Sequence, residues 1–303
     1  HKAPHGKWGP ALRHLHEFDD IEIPEPPTLF DDFSGRSPAS AQHKMGIADH
    51  IGEKRLMLSY ASKFTPEQFK QFDNAFRPKN EAFIKAKLTG KERTRWHYQR
   101  YIKNYLRCVK AVDENIGRML EYLDRKKLTK NTIVIYSSDQ GFWLGEHGWF
   151  DKRWMYEESL HTPLLVRWPN KIKSSSKNNL LVSNLDFAPT FLELAGAKPA
   201  KDMQGESLLP LFKGNTPKDW RITHYYHYYE AGGHGVPIHY GVTDGKQKLI
   251  RFPDDTLNTW EFFDLQKDPM EMKNLYADKS YRGEIQSMKK ELQRLRKQYK
   301  IQK

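Results

Sequence analysis

Asp139 and Gln140 follow an apolar, β-branched run, Thr132-Ile133-Val134-Ile135-Tyr136, and two serines. A carboxylate and an amide carbonyl leaving one strand end can turn toward a common point, and both are hard oxygen ligands of the kind that suit calcium or magnesium. The neighbour of the aspartate is an amide and not an imidazole, which turns the pattern away from zinc. Lys152, about a dozen residues on, carries a compact charge suited to a tetrahedral anion such as sulfate or phosphate. On spacing alone the alternative is an aspartate closing an Asx-turn, with a solvated lysine nearby.

The elements that must hold these groups are legible around them. The run at 132–136 reads as a strand buried on both faces, as in the middle of a parallel sheet, and open α/β sheets bind ligands where such strands end. A polar loop with Glu146, His147, Asp151, Lys152 and Arg153 follows, then a second apolar strand, Pro163-Leu164-Leu165-Val166-Arg167. Upstream, residues 92–125 form a long amphipathic helix, with Tyr98, Tyr101, Ile102, Tyr105, Val109, Val112, Ile116, Met119, Leu120 and Leu123 recurring at helical spacing. Cys108 sits on that helix as a structural thiol. Residues 65–90 are helix-like, and the proline-rich stretch 19–49 is an extended surface excursion in which Asp31 and Asp32 read as turn or helix caps. Asp186 caps and Gly196 stops a short helix, and a first domain closes near residue 215. Residues 216–303 form a smaller α+β module of short strands near 225–229, 239–242, 248–251 and 260–264, then a helix over 281–298 with Ile285, Met288, Leu292 and Leu295 on one side.

The 303 residues carry a net charge of +12 and a pI near 9.4, which suits an anionic partner such as a sulfated polymer or nucleic acid. A lysine-rich helix that also carries an apolar stripe is more simply a packing helix, which weighs against nucleic acid. No apolar run approaches the length of a membrane span. A single cysteine excludes an internal disulfide.

The words Ser137-Ser138-Asp139-Gln140-Gly141-Phe142-Trp143-Leu144-Gly145-Glu146-His147-Gly148-Trp149-Phe150-Asp151-Lys152-Arg153 resemble the second signature region of the type I, formylglycine-dependent sulfatases of the alkaline-phosphatase superfamily. The resemblance implies an α/β fold: a mixed sheet sandwiched by helices, with a smaller C-terminal antiparallel-sheet and helix subdomain. It implies Asp139 and Gln140 as calcium ligands and Lys152 on the substrate sulfate. The opening His1-Lys2-Ala3-Pro4-His5-Gly6-Lys7-Trp8 resembles the family's K-x-P-H-x-x-W segment, which puts the hydrogen bond to sulfate or leaving oxygen on His5. Loop 230–237 with His234, then His239, and His147 in the central loop resemble parts of glycan sulfatases that approach the sugar. Trp143 and Trp149 read as pocket walls or as packing.

The family's nucleophile comes from Cys-x-Pro/Ala-x-Arg, whereas Cys108 is followed by Val109-Lys110-Ala111-Val112. The expectation is therefore that residues 1–215 are the C-terminal part of the catalytic domain, 216–303 the small subdomain, and that an N-terminal portion of the same enzyme supplies formylglycine and further calcium ligands. The closest verbal likeness is to bacterial N-acetylglucosamine-6-sulfatases, which implies a periplasmic or secreted hydrolase of 6-O-sulfate on heparin- or heparan-type saccharides. His161 stands where an arginine often precedes the Thr-Pro dipeptide. The rival readings are a phosphatase or phosphodiesterase of the same superfamily, and a non-catalytic module that binds anionic polymers.

Overall fold

Tyr98, Tyr101, Ile102, Cys108 and Val112 are buried along one stripe of α2 (Gly90–Arg125), so the helical periodicity of the sequence becomes the spine of one packed unit. The computed structural model describes residues 3–59, 64–231 and 233–301. The chain divides into two units: His1–Asp32, His43–Leu128 and Phe142–Lys152 form the first, and Phe33–Gln42, Thr129–Gly141 and Arg153–Lys303 form the second.

In the first unit α1 (Pro66–Ala86) begins at a capping box between Thr65 and Gln68, with proline at the first helical position. The proline-rich excursion lies on α2, because the Tyr98 hydroxyl donates to Pro24 O at 2.7 Å and the Gln99 amide donates to Ile23 O at 2.7 Å. A short hairpin, β2 (Trp143–Leu144) with β3 (Phe150–Asp151), carries the central loop. Trp143 and Trp149 are wholly buried and pack edge to face at 4.9 Å, so they are core and not pocket wall. Burial pushes the Cys108 thiol up to about 11, as befits an inert structural cysteine. The Asp31 carboxylate accepts from His147 Nδ1 at 2.7 Å.

In the second unit β1 (Val134–Ser137) pairs antiparallel with β4 (Leu164–Arg167), Ile135 opposite Val166. The expectation of a strand buried on both faces among parallel neighbours is not met among the described residues: Tyr136 is 38% and Leu165 67% exposed. An apolar run signals a strand able to be buried, but the direction of its neighbour is set by the connection. Here the connection over residues 138–163 carries the β2–β3 hairpin and the one-turn helix α3 (Glu157–Leu160) and brings β4 back antiparallel to β1. After α4 (Phe187–Leu194) and α5 (Leu209–Phe212) come four strands, β5 (His224–Tyr228), β6 (His239–Thr243), β7 (Gln247–Phe252) and β8 (Thr259–Asp264), in one antiparallel sheet in sequence order. α6 (Arg282–Gln298) lays Ile285, Met288, Leu292 and Leu295 on Val242, Leu249 and Phe262 of that sheet. Each such apolar side chain taken fully out of water contributes roughly 1.5–3 kcal/mol. Asp186 exceeds its expected role as a cap: it is wholly buried and takes both guanidinium nitrogens of Arg221, at 2.5 and 2.6 Å.

Candidate functional site

The strand β1 ends at Ser137, and Asp139 stands exposed two residues beyond it. The Asn184 amide donates to Asp139 O at 2.5 Å, and the Ser138 hydroxyl to Asp139 Oδ1 at 3.3 Å. Gly141 then seats the loop. Its N–H donates to Ser159 O at 2.8 Å, and a Cβ at this position would lie 2.0 Å from Glu158 O and 2.7 Å from His161 O. Only glycine allows the backbone after Gln140 to lie this close to the carbonyls of α3.

α3 is itself anchored by buried charge. The Glu157 N–H donates to Glu271 Oε2 at 2.7 Å. Lys248 Nζ, with no exposed surface, lies 2.6 Å from Glu157 Oε1 and 2.7 Å from Glu271 Oε1. Burial alone would raise the Glu157 carboxyl, but hydrogen bonds from His161 and Lys248 hold it at about 2. Burial dominates at Glu271 and pushes it up to about 7 in spite of Lys248. His161, bonded to Glu157 at 2.8 Å, has its imidazole raised by that carboxylate.

Asp139 and Gln140 offer the hard oxygens that calcium takes, but calcium takes about six to eight of them. Among the described residues no cluster of three or more His, Cys, Asp or Glu could hold a metal. The pair therefore fits a calcium site in chemistry and supplies only part of its ligand set.

The cationic groups lie in the first unit. His5 is exposed and lines an open cleft of about 890 Å³ together with Lys7, Ile51, Glu53, Lys54 and Arg55. Lys152 is mostly buried, with Nζ 3.8 Å from Asp151 Oδ1 and 5.9 Å from the centre of the Phe142 ring. Asp151 has φ 80°, in the region that favours glycine, so the backbone beside this lysine is held out of its easy conformations.

The histidines fare differently. His147 is buried at φ 54°, its Nδ1–H on Asp31 and its N–H on Thr28 Oγ1 at 2.9 Å. His239 is wholly buried, donates from Nδ1 to Pro237 O at 2.8 Å, and is enclosed by Trp154, Tyr226, Tyr228 and Phe252 at 5.4 to 5.6 Å. Burial lowers its imidazole to about 4, so it is neutral at physiological pH. His234 lies in the turn Gly233–Gly235, and its side chain is outside the described residues. Of the expected site residues, His5, His147 and Lys152 thus belong to the first unit and Asp139, Gln140, His234 and His239 to the second.

Residues 145–298 match the family model described as N-sulphoglucosamine sulphohydrolase, C-terminal, and residues 47–197 match the one described as Sulfatase. The chain belongs to the sulfatase family. An N-acetylglucosamine-6-O-sulfatase from Bacteroides thetaiotaomicron is 42% identical to this sulfatase chain over 99% of the chain and 57% of the relative. The human N-acetylglucosamine-6-sulfatase is 31% identical over 52% of the chain and 30% of its own length. A solved structure described as a complex with its substrate D-glucosamine-2-N,6-O-disulfate superposes with a TM-score of 0.95 at 41% identity, covering 99% of this chain and 64% of that one. A phosphonate monoester hydrolase from Silicibacter pomeroyi shares the fold at TM-score 0.70 and 21% identity, over 98% of this chain and 54% of its own. The sulfatase chain thus has the alkaline-phosphatase-like α/β fold, and it spans 57% of the length of the Bacteroides relative.

Four side chains have partners that no local motif announces: Lys248 on Glu271, Glu261 on Ser37 N and the Tyr156 hydroxyl, Asp31 on His147, and Arg221 on Asp186. Lys248 shares its strand parity with the buried Ile250 and Phe252, and Glu261 shares its parity with Phe263, which was the available signal that both point inward. Asp31 and Arg221 carried no such signal, because their partners are distant in sequence.

Proposed function

We propose that this chain forms part of a sulfuric ester hydrolase that removes the 6-O-sulfate of N-acetylglucosamine in heparin- or heparan-type saccharides. The supporting observation is the 42% identity to an N-acetylglucosamine-6-O-sulfatase across 99% of the chain, in a sequence that carries Asp139-Gln140, Lys152 and His5 in the family's order. Residues 1–215 then belong to the catalytic domain and 216–303 to the small subdomain, and the bacterial relatives favour a periplasmic or secreted enzyme.

In this reading Asp139 and Gln140 give oxygen ligands to calcium, which supplies neutralisation of sulfate oxygens when bound, while the nucleophilic formylglycine comes from sequence outside these 303 residues. Lys152 places a fixed charge against the sulfate oxygens, where negative charge grows as the sulfur–oxygen bond to the sugar breaks. His5 hands a proton to the departing sugar oxygen, so that an alcohol leaves in place of an alkoxide. His147 and His239, both inside the protein, serve the saccharide through the loops they brace, and His234 serves it from the turn at Gly233–Gly235. The test is sulfate release from N-acetylglucosamine 6-sulfate by the full-length enzyme. Lys152→Ala is expected to lower kcat/KM by about 10²–10³-fold, as for other lost oxyanion donors. A rate within a few-fold of the parent rejects the role of Lys152.

A further inference from the structure

The cleft beside His5 holds more positive charge than one sulfate needs. Lys7, Lys54 and Arg55 line it with His5, against a single carboxylate, Glu53. Among the described residues none of these three cations has a carboxylate within ion-pairing distance, although the chain pairs many of its other cations. Arg55 is also held in place: its guanidinium lies over the Phe150 ring at 5.1 Å, and Phe150 is wholly buried. Phe150 packs on Trp8 at 6.3 Å, and Trp8 packs on Phe142, the ring under Lys152, at 6.1 Å. One aromatic platform therefore carries Arg55 and Lys152 and ends three residues from His5. A guanidinium stacked on an aromatic ring loses little rotamer freedom on meeting an anion and keeps its edge free to take two oxygens.

We propose that Lys7, Lys54 and Arg55 form a second anion subsite, which reads a sulfate or carboxylate on the same saccharide that presents its ester to His5. The cleft, at about 890 Å³, is within the size range of small-molecule sites and has room for more than the ester group itself. The subsite rests on the sulfatase reading for the identity of the sugar, but its charge pattern exists independently of turnover. Arg55 is its anchor, by bidentate contact; Lys7 and Lys54, both exposed, add long-range attraction that salt screens.

The experiment is calorimetric binding of three ligands to the full-length protein: N-acetylglucosamine 6-sulfate, its 2-N-sulfated counterpart, and a uronate-containing disaccharide with the same 6-sulfate. Kinetics on the same three ligands run in parallel. The parent should bind at least one doubly anionic ligand about ten-fold more tightly than the singly sulfated sugar. A preference for the N-sulfated sugar makes the second group a sulfate on the same ring, and one for the disaccharide makes it the neighbouring carboxylate. Arg55→Gln should erase the preference while leaving affinity for the singly sulfated sugar within about two-fold. Arg55→Lys should restore part of it, and Lys7→Gln with Lys54→Gln, at exposed positions that cannot unfold the protein by cavity formation, should lower it about three-fold and flatten its salt dependence. A parent with no preference, or a preference that survives the combined Lys7→Gln, Lys54→Gln and Arg55→Gln variant, overturns the subsite. A preference that behaves as described in a protein that releases no sulfate overturns the sulfatase reading and leaves the subsite standing.

Discussion

His239 shows how a residue marked by its type can be used for its neutrality. Its imidazole is lowered to about 4 by burial, whereas in the unfolded chain it titrates near 6.5. Between those values the unfolded state binds the proton and the folded state does not, so the contribution of this residue is fully present above pH 6.5 and is lost as pH falls toward 4. The shift corresponds to at most about 3 kcal/mol. Replacing it in His239→Phe should flatten the fall of the unfolding free energy over that interval, measured by denaturant titration at several pH values; an unchanged slope would show that another group carries it. At this scale the sequence was most informative where a residue keeps local company. Cys108 is legible as a buried structural thiol from its place on a helix, and the roles proposed for Asp139, Gln140 and Lys152 rest on one contiguous signature. The pairing of Asp31 with His147 is not legible locally, because the two lie 116 residues apart and no local pattern announces the pair. Lys248 went unnoticed because a lysine in a strand is ordinarily solvated, while here two glutamates meet it in the interior.

The elements are arranged to hold one glycine. α3 is a single turn, far too short to be stable alone, and it persists because Lys248, Glu271 and Gly141 clasp it. Gly141→Ala should force the α3 carbonyls or the Asp139–Gln140 loop to move, at a cost of about 1–3 kcal/mol. The same variant should weaken calcium binding to the full-length enzyme, as measured by calorimetry. Calcium affinity equal to that of the parent would show that α3 does not position the pair. On the sheet of the second unit, Leu292→Ala should cost about 2–5 kcal/mol in denaturant unfolding, because the side chain is 2% exposed and lies in the core between α6 and the strands. The four strands and α6 were legible from alternation and helical spacing. The direction of β1 was not: both a parallel and an antiparallel neighbour accept an apolar strand, and the apolar pattern carries no information on the path of the connection over residues 138–163.

Over the whole molecule, the charge of +12 and the sulfated ligands of the proposed reaction point the same way. Binding of a sulfated polysaccharide should weaken steadily as salt is raised, since the screening length shrinks from about 10 Å at 0.1 M to about 3 Å at 1 M; salt-independent affinity would contradict an electrostatic role for the basic surface. Asp139 and Gln140 belong to the second unit and His5 and Lys152 to the first, and sequence order conceals this because Gly141 and Phe142 are neighbours in the chain yet belong to different units. The most direct measurement is sulfate release from N-acetylglucosamine 6-sulfate by the full-length enzyme across a calcium titration, comparing the parent with Asp139→Asn. Release should depend on calcium in the parent, and the variant should lose about 100-fold or more at low calcium, a loss that added calcium partly restores. Turnover by Asp139→Asn equal to the parent at every calcium concentration, or a parent that hydrolyses phosphate esters and leaves the sulfate untouched, would contradict it.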